Sequence, residues 1–194
     1  MKKLTLDWNC VLAVENGEVQ GRHLEELVTL HRAGQVQTAL LQTSASENMR
    51  GTRGFPGSYD LFEGRLEKLG WEDLPRLPTP GVWGLTFWDR FYWVDQEVYE
   101  RLTEELWHIM FPNLQFFVEE WSAKNGEPSG DDFAGPEFAR FRNAWCDVHS
   151  AYCHIEENRD LFISMNTRDF QTNGQSLRAL GLMAVTPEEA LAVI

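Results

Sequence analysis

The chain has 194 residues, 43% of them apolar and 24% charged, a composition that excludes a disordered, collagenous or coiled-coil protein. This length suits one domain, or one small domain with a large insertion. A formal net charge of -13 excludes a broad nucleic-acid-binding surface, because a phosphate backbone needs Lys and Arg to replace its counterions.

In chain order, KLTLD (3–7) reads as a buried strand with an acid at its end, and CVLAV carries the apolar run into the first loop. His23 to Ala33 places Leu24, Leu27, Val28 and Leu30 at helical spacing with Gly34 as a stop, and Val36 to Leu41 reads as a second strand. Two such βα units predict a mainly parallel sheet with helices packed on it. From residue 51 to 135 Gly and Pro punctuate the chain and six of its eight tryptophans occur, so this stretch is expected to be an aromatic-rich insertion between 1–50 and 136–194. Within it Gln96 to Phe111 has helical periodicity. Pro136 to Asn158 is the clearest helix, with Phe138, Phe141, Trp145, Val148, Tyr152 and Ile155 forming one buried stripe. DLFIS (160–164) follows as a short strand, then a turn through Asn166 and Thr167. Leu177 to Leu180 form a helical turn ending at Gly181. A strand at Leu182 to Val185 precedes a terminal helix opened by Pro187 after Thr186 as N-cap.

The segment Asp95 to Glu137 carries eleven acidic residues against Arg101 and Lys124, so this half of the insertion is expected to face away from any site that handles phosphates. No run approaches the ~18 apolar residues that cross a bilayer, and Asp7 and Asn9 interrupt the first apolar run too early for a signal-peptide core. Cys10, Cys146 and Cys153 are an odd set that does not form a disulfide framework. The expectation is a soluble, cytoplasmic protein with no membrane contact.

Three acids fall where strands and helices meet. Asp7 ends the first strand, Glu47 begins the helix after the second, and Asp147 lies on the long helix with Ala144 and Ala151 beside it, a flank thin enough to approach the sheet. Ligands of parallel sheets collect beyond the carboxyl ends of the strands. Carboxylates gathered there repel one another unless a hard cation joins them. Mg²⁺ or Mn²⁺ takes oxygen ligands and keeps waters, one of which can attack a phosphodiester.

These segments resemble, in order, those of the PIN-domain ribonucleases, a family that includes the toxins of bacterial toxin–antitoxin pairs. LDWN (6–9) is similar to the family's opening strand, LLQTSASEN (40–48) to its second strand and helix start, CDVHSAY (146–152) to the later acid-bearing helix, and ISMNTRDF (163–170) to the turn that completes the site. LRALGLMAVTPEEAL resembles the closing strand and helix. The resemblance implies a three-layer α/β/α fold and a Mg²⁺- or Mn²⁺-dependent endoribonuclease. Asp7, Glu47 and Asp147 would be metal ligands, Asn9 would steady the first of them, and Asn166 would stand where a fourth acid is often held, with Asp169 three residues later. It also implies RNA as substrate, and it leaves open an antitoxin or other protein partner and a homodimer. Arg50, Arg53 and Arg168, with Asn9, are the candidate contacts to substrate, and RGTRG (50–54) could instead be an ordinary solvated loop.

Other readings stand beside these. A lone Asp after a strand is commonly a helix cap, and Asp169 could be a turn residue. Cys146, His149 and Cys153 share a helix face, yet a structural zinc site needs a fourth ligand that the sequence does not supply. The tryptophans could stack on bases or form a secondary core. The alternative to a hydrolase is a PIN-like domain that has lost turnover and binds protein or RNA through its insertion, a reading that Asn166 favours.

Overall fold

The computed structural model describes residues 1–47, 59–82, 86–87, 90–125 and 138–194. The apolar run KKLTL forms β1 (Lys2–Leu6), and the chain then turns at once into α1 (Trp8–Glu15), capped by the Asp7 side chain, which accepts from the Trp8 amide. CVLAV is thus helical: a cap at its start outweighs the β-favouring valines. Gly17, at φ +64°, lets the chain reverse into α2 (Val19–Arg32). At Gly21 a Cβ would meet the Ala13 carbonyl at 3.2 Å, so the missing side chain sets how closely α1 and α2 cross.

β2 (Val36–Leu41) leads into a 3₁₀ turn, Gln42–Ser46. α3 (Tyr59–Lys68) and β3 (Arg76–Leu77) follow, then a separate parallel pair, β4 (Thr79–Pro80) with β5 (Phe91–Tyr92). α4 (Gln96–Met110) and α5 (Val118–Asn125) precede the long α6 (Ala139–Glu156). The chain closes with β6 (Leu161–Ile163), a π-helical turn at Thr167–Gln171, α7 (Gly174–Ala179), β7 (Ala184–Val185) and α8 (Pro187–Val193). α8 opens on a full capping box between Thr186 and Glu189.

The central sheet has five strands in the order β3-β2-β1-β6-β7, every neighbouring pair parallel. Alternate side chains face opposite layers. Leu4, Leu6, Leu40, Leu161 and Ile163 pack with Val11, Leu24, Phe62 and Ala190 on one side; Ala39, Leu41 and Phe162 pack with Trp107, Phe141, Val148 and Leu177 on the other. The protein is α/β with helices on both faces of a parallel sheet, and all five strands end at one edge.

The stretch expected to be an insertion is not separate from this core. β3 is the edge strand of the sheet, paired with β2 through Leu40↔Arg76 and Leu41↔Leu77, and α3 adds Phe62 and Leu66 to the first apolar layer. Two residues of strand after a proline leave no periodicity to read, which is why the sequence hides them. Trp71, Trp107 and Trp121 are buried in these layers and cannot stack on bases, whereas Trp93 is exposed. Trp83 and Trp88 lie outside the described residues, as do Pro136 and Glu137 at the expected start of the long helix.

The face that bears Cys146, His149 and Cys153 is packed into the core. All three are buried, and burial pushes the thiols up and the imidazole down to about 3, so the ring is neutral. Its Nδ1 donates to the Trp145 carbonyl at 3.2 Å, leaving Nε2 to accept from the Tyr99 hydroxyl at 2.6 Å. Tyr99→Phe is therefore expected to strand a buried acceptor and to destabilise the protein by about 1–3 kcal/mol in urea denaturation. A second change, His149→Phe, should recover much of that loss. A Tyr99→Phe midpoint equal to wild type would mean that the bond does not form.

Candidate functional site

Asp7 is the centre of the site. Its amide continues the sheet, donating to the Ile163 carbonyl at 3.0 Å, so the side chain is delivered where β1 and β6 end together. The carboxylate is 2% exposed, and each oxygen has a partner. Oδ1 accepts from the Trp8 amide at 2.8 Å, and Oδ2 accepts from Asn9 Nδ2 at 2.5 Å and from the Ser164 hydroxyl at 2.7 Å. It is a helix cap and a member of a polar network at once. Asn9 also links the start of α1 to the segment after β6, since its Oδ1 accepts from the Met165 amide at 2.9 Å.

Ser164 is the residue that the sequence does not single out. It directly follows β6, beside Asp7, and its oxygen accepts from the Asn166 amide at 3.0 Å, which ties the first acid to the turn that follows. The readable signal is a hydroxyl two residues before Asn166, at a strand position otherwise filled by apolar residues. In that turn Asn166 Nδ2 donates to Asp169 Oδ2 at 2.9 Å and reaches toward Asp147 Oδ2 at 3.5 Å, while its Oδ1 accepts from the Asp169 amide at 3.2 Å. Arg168, 87% exposed, forks onto both oxygens of Asp169 at 3.1 and 3.2 Å.

Glu47 arrives differently from its expected place at the start of a helix. It ends the 3₁₀ turn with extended backbone, φ -74° and ψ 149°, and its half-buried side chain has an Oε1 that is sealed from solvent with no hydrogen-bond partner among the described residues. Arg50 and Arg53 lie outside the described residues.

The electrostatics join these groups. Burial raises the Asp7 carboxyl from 3.8 to about 6, against the lowering effect of its hydrogen bonds from Ser164, Trp8 and Asn9. Burial raises Glu47 well above the carboxylate range, and the charges of Asp7 and Asp147 push it further. Asp147 is also raised well above that range by burial, then by Asp7 and Asp169, with Arg168 opposing. Acids from the end of β1, from the 3₁₀ turn after β2, from α6 and from the turn after β6 thus lie near enough to influence one another at one edge of the sheet. The nearby thiols of Cys10 and Cys146 are raised by burial and by these carboxylates, which makes them inert as nucleophiles.

No family model, no curated protein and no solved structure matches the chain.

A cleft of about 710 Å³ is lined by Asp147 and Asp169, and among the described residues neither Asp7 nor Glu47 lines it. Among the described residues its lining holds these two acids, the cations Arg140 and Arg168, and the uncharged run Met110–Leu114, so part of the stretch expected to face away from the site lines it. The acidic side chains of α4 do not line it. Glu47 instead borders a small crevice beside Trp8 and Phe62.

The donor set suits a hard divalent cation: oxygen ligands only, several carboxylates, and one buried oxygen without a partner. Among the described residues, however, no group of three or more His, Cys, Asp and Glu side chains is placed to hold a metal ion as it stands. Donors from Asn9 and Ser164 meet Asp7 Oδ2, and Asn166 donates to Asp169 Oδ2. Among the described residues no helix is long and apolar enough to cross a membrane.

Proposed function

We propose that the protein is a PIN-like, metal-dependent endoribonuclease in which Asp7, Glu47 and Asp147 hold Mg²⁺ or Mn²⁺ and Asp169 and Asn166 complete the surround. The observation that carries this reading is that Asp7, Glu47 and Asp147, from separate elements, meet at the carboxyl edge of a parallel sheet, near enough for Asp7 and Asp147 to raise Glu47 and for Asp7 and Asp169 to raise Asp147. Holding several buried carboxylates together costs stability, and such an arrangement is common at functional sites. The bound ion would supply charge neutralisation and water activation at a phosphodiester. This chain's own residues would do the rest: Asn9 and Ser164 fix the Asp7 carboxylate, Asn166 spaces Asp147 from Asp169, and Arg168 stands at the cleft mouth to meet a phosphate oxygen.

A second reading is favoured by the Asn166 amide. It satisfies Asp169 without any ion, as expected of a PIN-like domain that binds protein or RNA and no longer turns over. Asn166→Asp separates the two. In a metal site it removes a donor, adds a ligand charge and should tighten Mn²⁺ by about tenfold, with lower stability in EDTA. Calorimetric titration of Mn²⁺, run alongside cleavage of a mixed single-stranded RNA pool, reads both. If wild type and Asn166→Asp bind no Mn²⁺ and neither cleaves, the binding-module reading takes its place.

A further inference from the structure

The main cleft does not end at the acids. It shares Asn113, Leu114 and Arg140 with a second cavity of about 220 Å³, lined also by Gln115, Lys124 and Asn125, so the two form one continuous groove. Its axis is set by α6: Arg140, Asn143, Ala144 and Asp147 fall at i, i+3, i+4 and i+7, a single stripe on one helical face. Two turns, ~10 Å of rise, separate Arg140 from Asp147.

In a protein of net charge -13, this groove is an exception. Away from the acid end its charged lining among the described residues is cationic, Arg140 and Lys124, and the remaining polar lining there is amide: Asn113, Gln115, Asn125 and Asn143. Both cations are exposed, and neither takes part in an ion pair among the described residues. Arg168, by contrast, is engaged by Asp169. Cations spaced along a polar groove that leads to clustered acids suit a polyanion whose backbone must be held at a distance from the reacting bond.

We infer that this groove seats the backbone of a single RNA strand leading to the acid cluster, with Arg140 and Lys124 as its phosphate contacts. The inference rests on the hydrolase reading for what happens at the acid end, but the groove can be tested separately. Two phosphate contacts on a single strand give a slope of about -1.4 in log affinity against log salt.

The test uses a fluorescein-labelled, mixed-sequence single-stranded RNA oligonucleotide, with binding followed by anisotropy in EDTA at 50 to 300 mM salt and cleavage followed in Mn²⁺. The variants are Arg140→Gln with Lys124→Gln, and, as a pair with the same charge change elsewhere, Arg22→Gln with Lys68→Gln. The groove pair should weaken binding by about tenfold at the low-salt end and flatten the slope toward zero. The remote pair should do neither. Equal weakening by both pairs would show a general charge effect and overturn the inference, as would wild-type binding without salt dependence. If the groove pair binds and cleaves as wild type does, the groove is not the path although the nuclease reading stands. If nothing cleaves while the groove pair alone loses binding, the path stands and the nuclease reading falls.

Discussion

Asp147→Asn is expected to abolish Mn²⁺-dependent RNA cleavage while raising the melting temperature of the metal-free protein. The exchange keeps the volume of the side chain, so the buried stripe of Phe141, Trp145, Val148 and Tyr152 on α6 is untouched. What changes is charge. The Asp147 carboxyl is held well above its ordinary range by burial and then by Asp7 and Asp169, so its ionised form opposes folding at neutral pH. A neutral amide removes that opposition. The amide oxygen can still accept from Asn166 Nδ2, the contact now at 3.5 Å. Cleavage should fall by about 10²-fold or more, the scale on which one preorganised electrostatic group is lost. Rates with the RNA pool and melts in EDTA check the two halves separately. A variant that cleaves as wild type does would assign the activity to a contaminant, and a variant less stable than wild type would show that Asp147 is held by bonds it needs rather than by crowding.

The second large effect is on stability as a function of pH and metal. Asp7 has its carboxyl raised from 3.8 to about 6 in the fold, so the folded state binds its proton more tightly than the unfolded state does. The sign follows from linkage: the contribution is fully present below pH 3.8 and is lost as pH rises through about 6, amounting to roughly 3 kcal/mol. Glu47 and Asp147 are raised too and act in the same direction. In EDTA the melting temperature should therefore fall between pH 4 and pH 8. Mn²⁺ at a hundred times its dissociation constant should restore about 2.7 kcal/mol at pH 8, or roughly 6–10 °C for a domain of this size. It should do little at pH 4, where the carboxyls hold protons. Asp7→Asn distinguishes this from general charge repulsion, because Asn caps a helix as well as Asp does. The variant should flatten the pH profile and lose most of the Mn²⁺ effect. A wild-type melt that ignores Mn²⁺ at pH 8 would remove the metal from the account.

The sequence shows the sheet better than it shows the site. VQTALL and DLFIS read as strands because their apolar runs are short and bounded, and the parallel order follows from βα alternation. The acids at strand ends were visible, and so was the thin flank of Asp147, where Ala144 and Ala151 are buried against the layer beneath. The sequence does not reveal how these acids are held. α1 begins one residue after Asp7, because the carboxylate that looks like a ligand is also the cap that starts the helix, and a propensity reading of CVLAV cannot see that. Glu47 ends a 3₁₀ turn whose residues have no periodic signature. Ser164 gains its role from a partner 157 positions away, a relation that only the pairing of β1 with β6 creates. β3 is too short to register and is placed by its neighbour alone.

That pairing of β1 with β6 also fixes when the site can exist. A chain made from its N-terminus presents Asp7 and Glu47 early, with β1 already beside β2 through contacts that are close in sequence. Asp7 then waits, for its amide partner is Ile163 and its hydroxyl partner is Ser164, and Asp147 and Asp169 are synthesised late as well. If the acids do cut RNA, the nascent chain is harmless to the message and the ribosome that are producing it until translation has passed Asp169. Contacts of such long sequence separation form slowly, which extends the silent interval beyond synthesis itself.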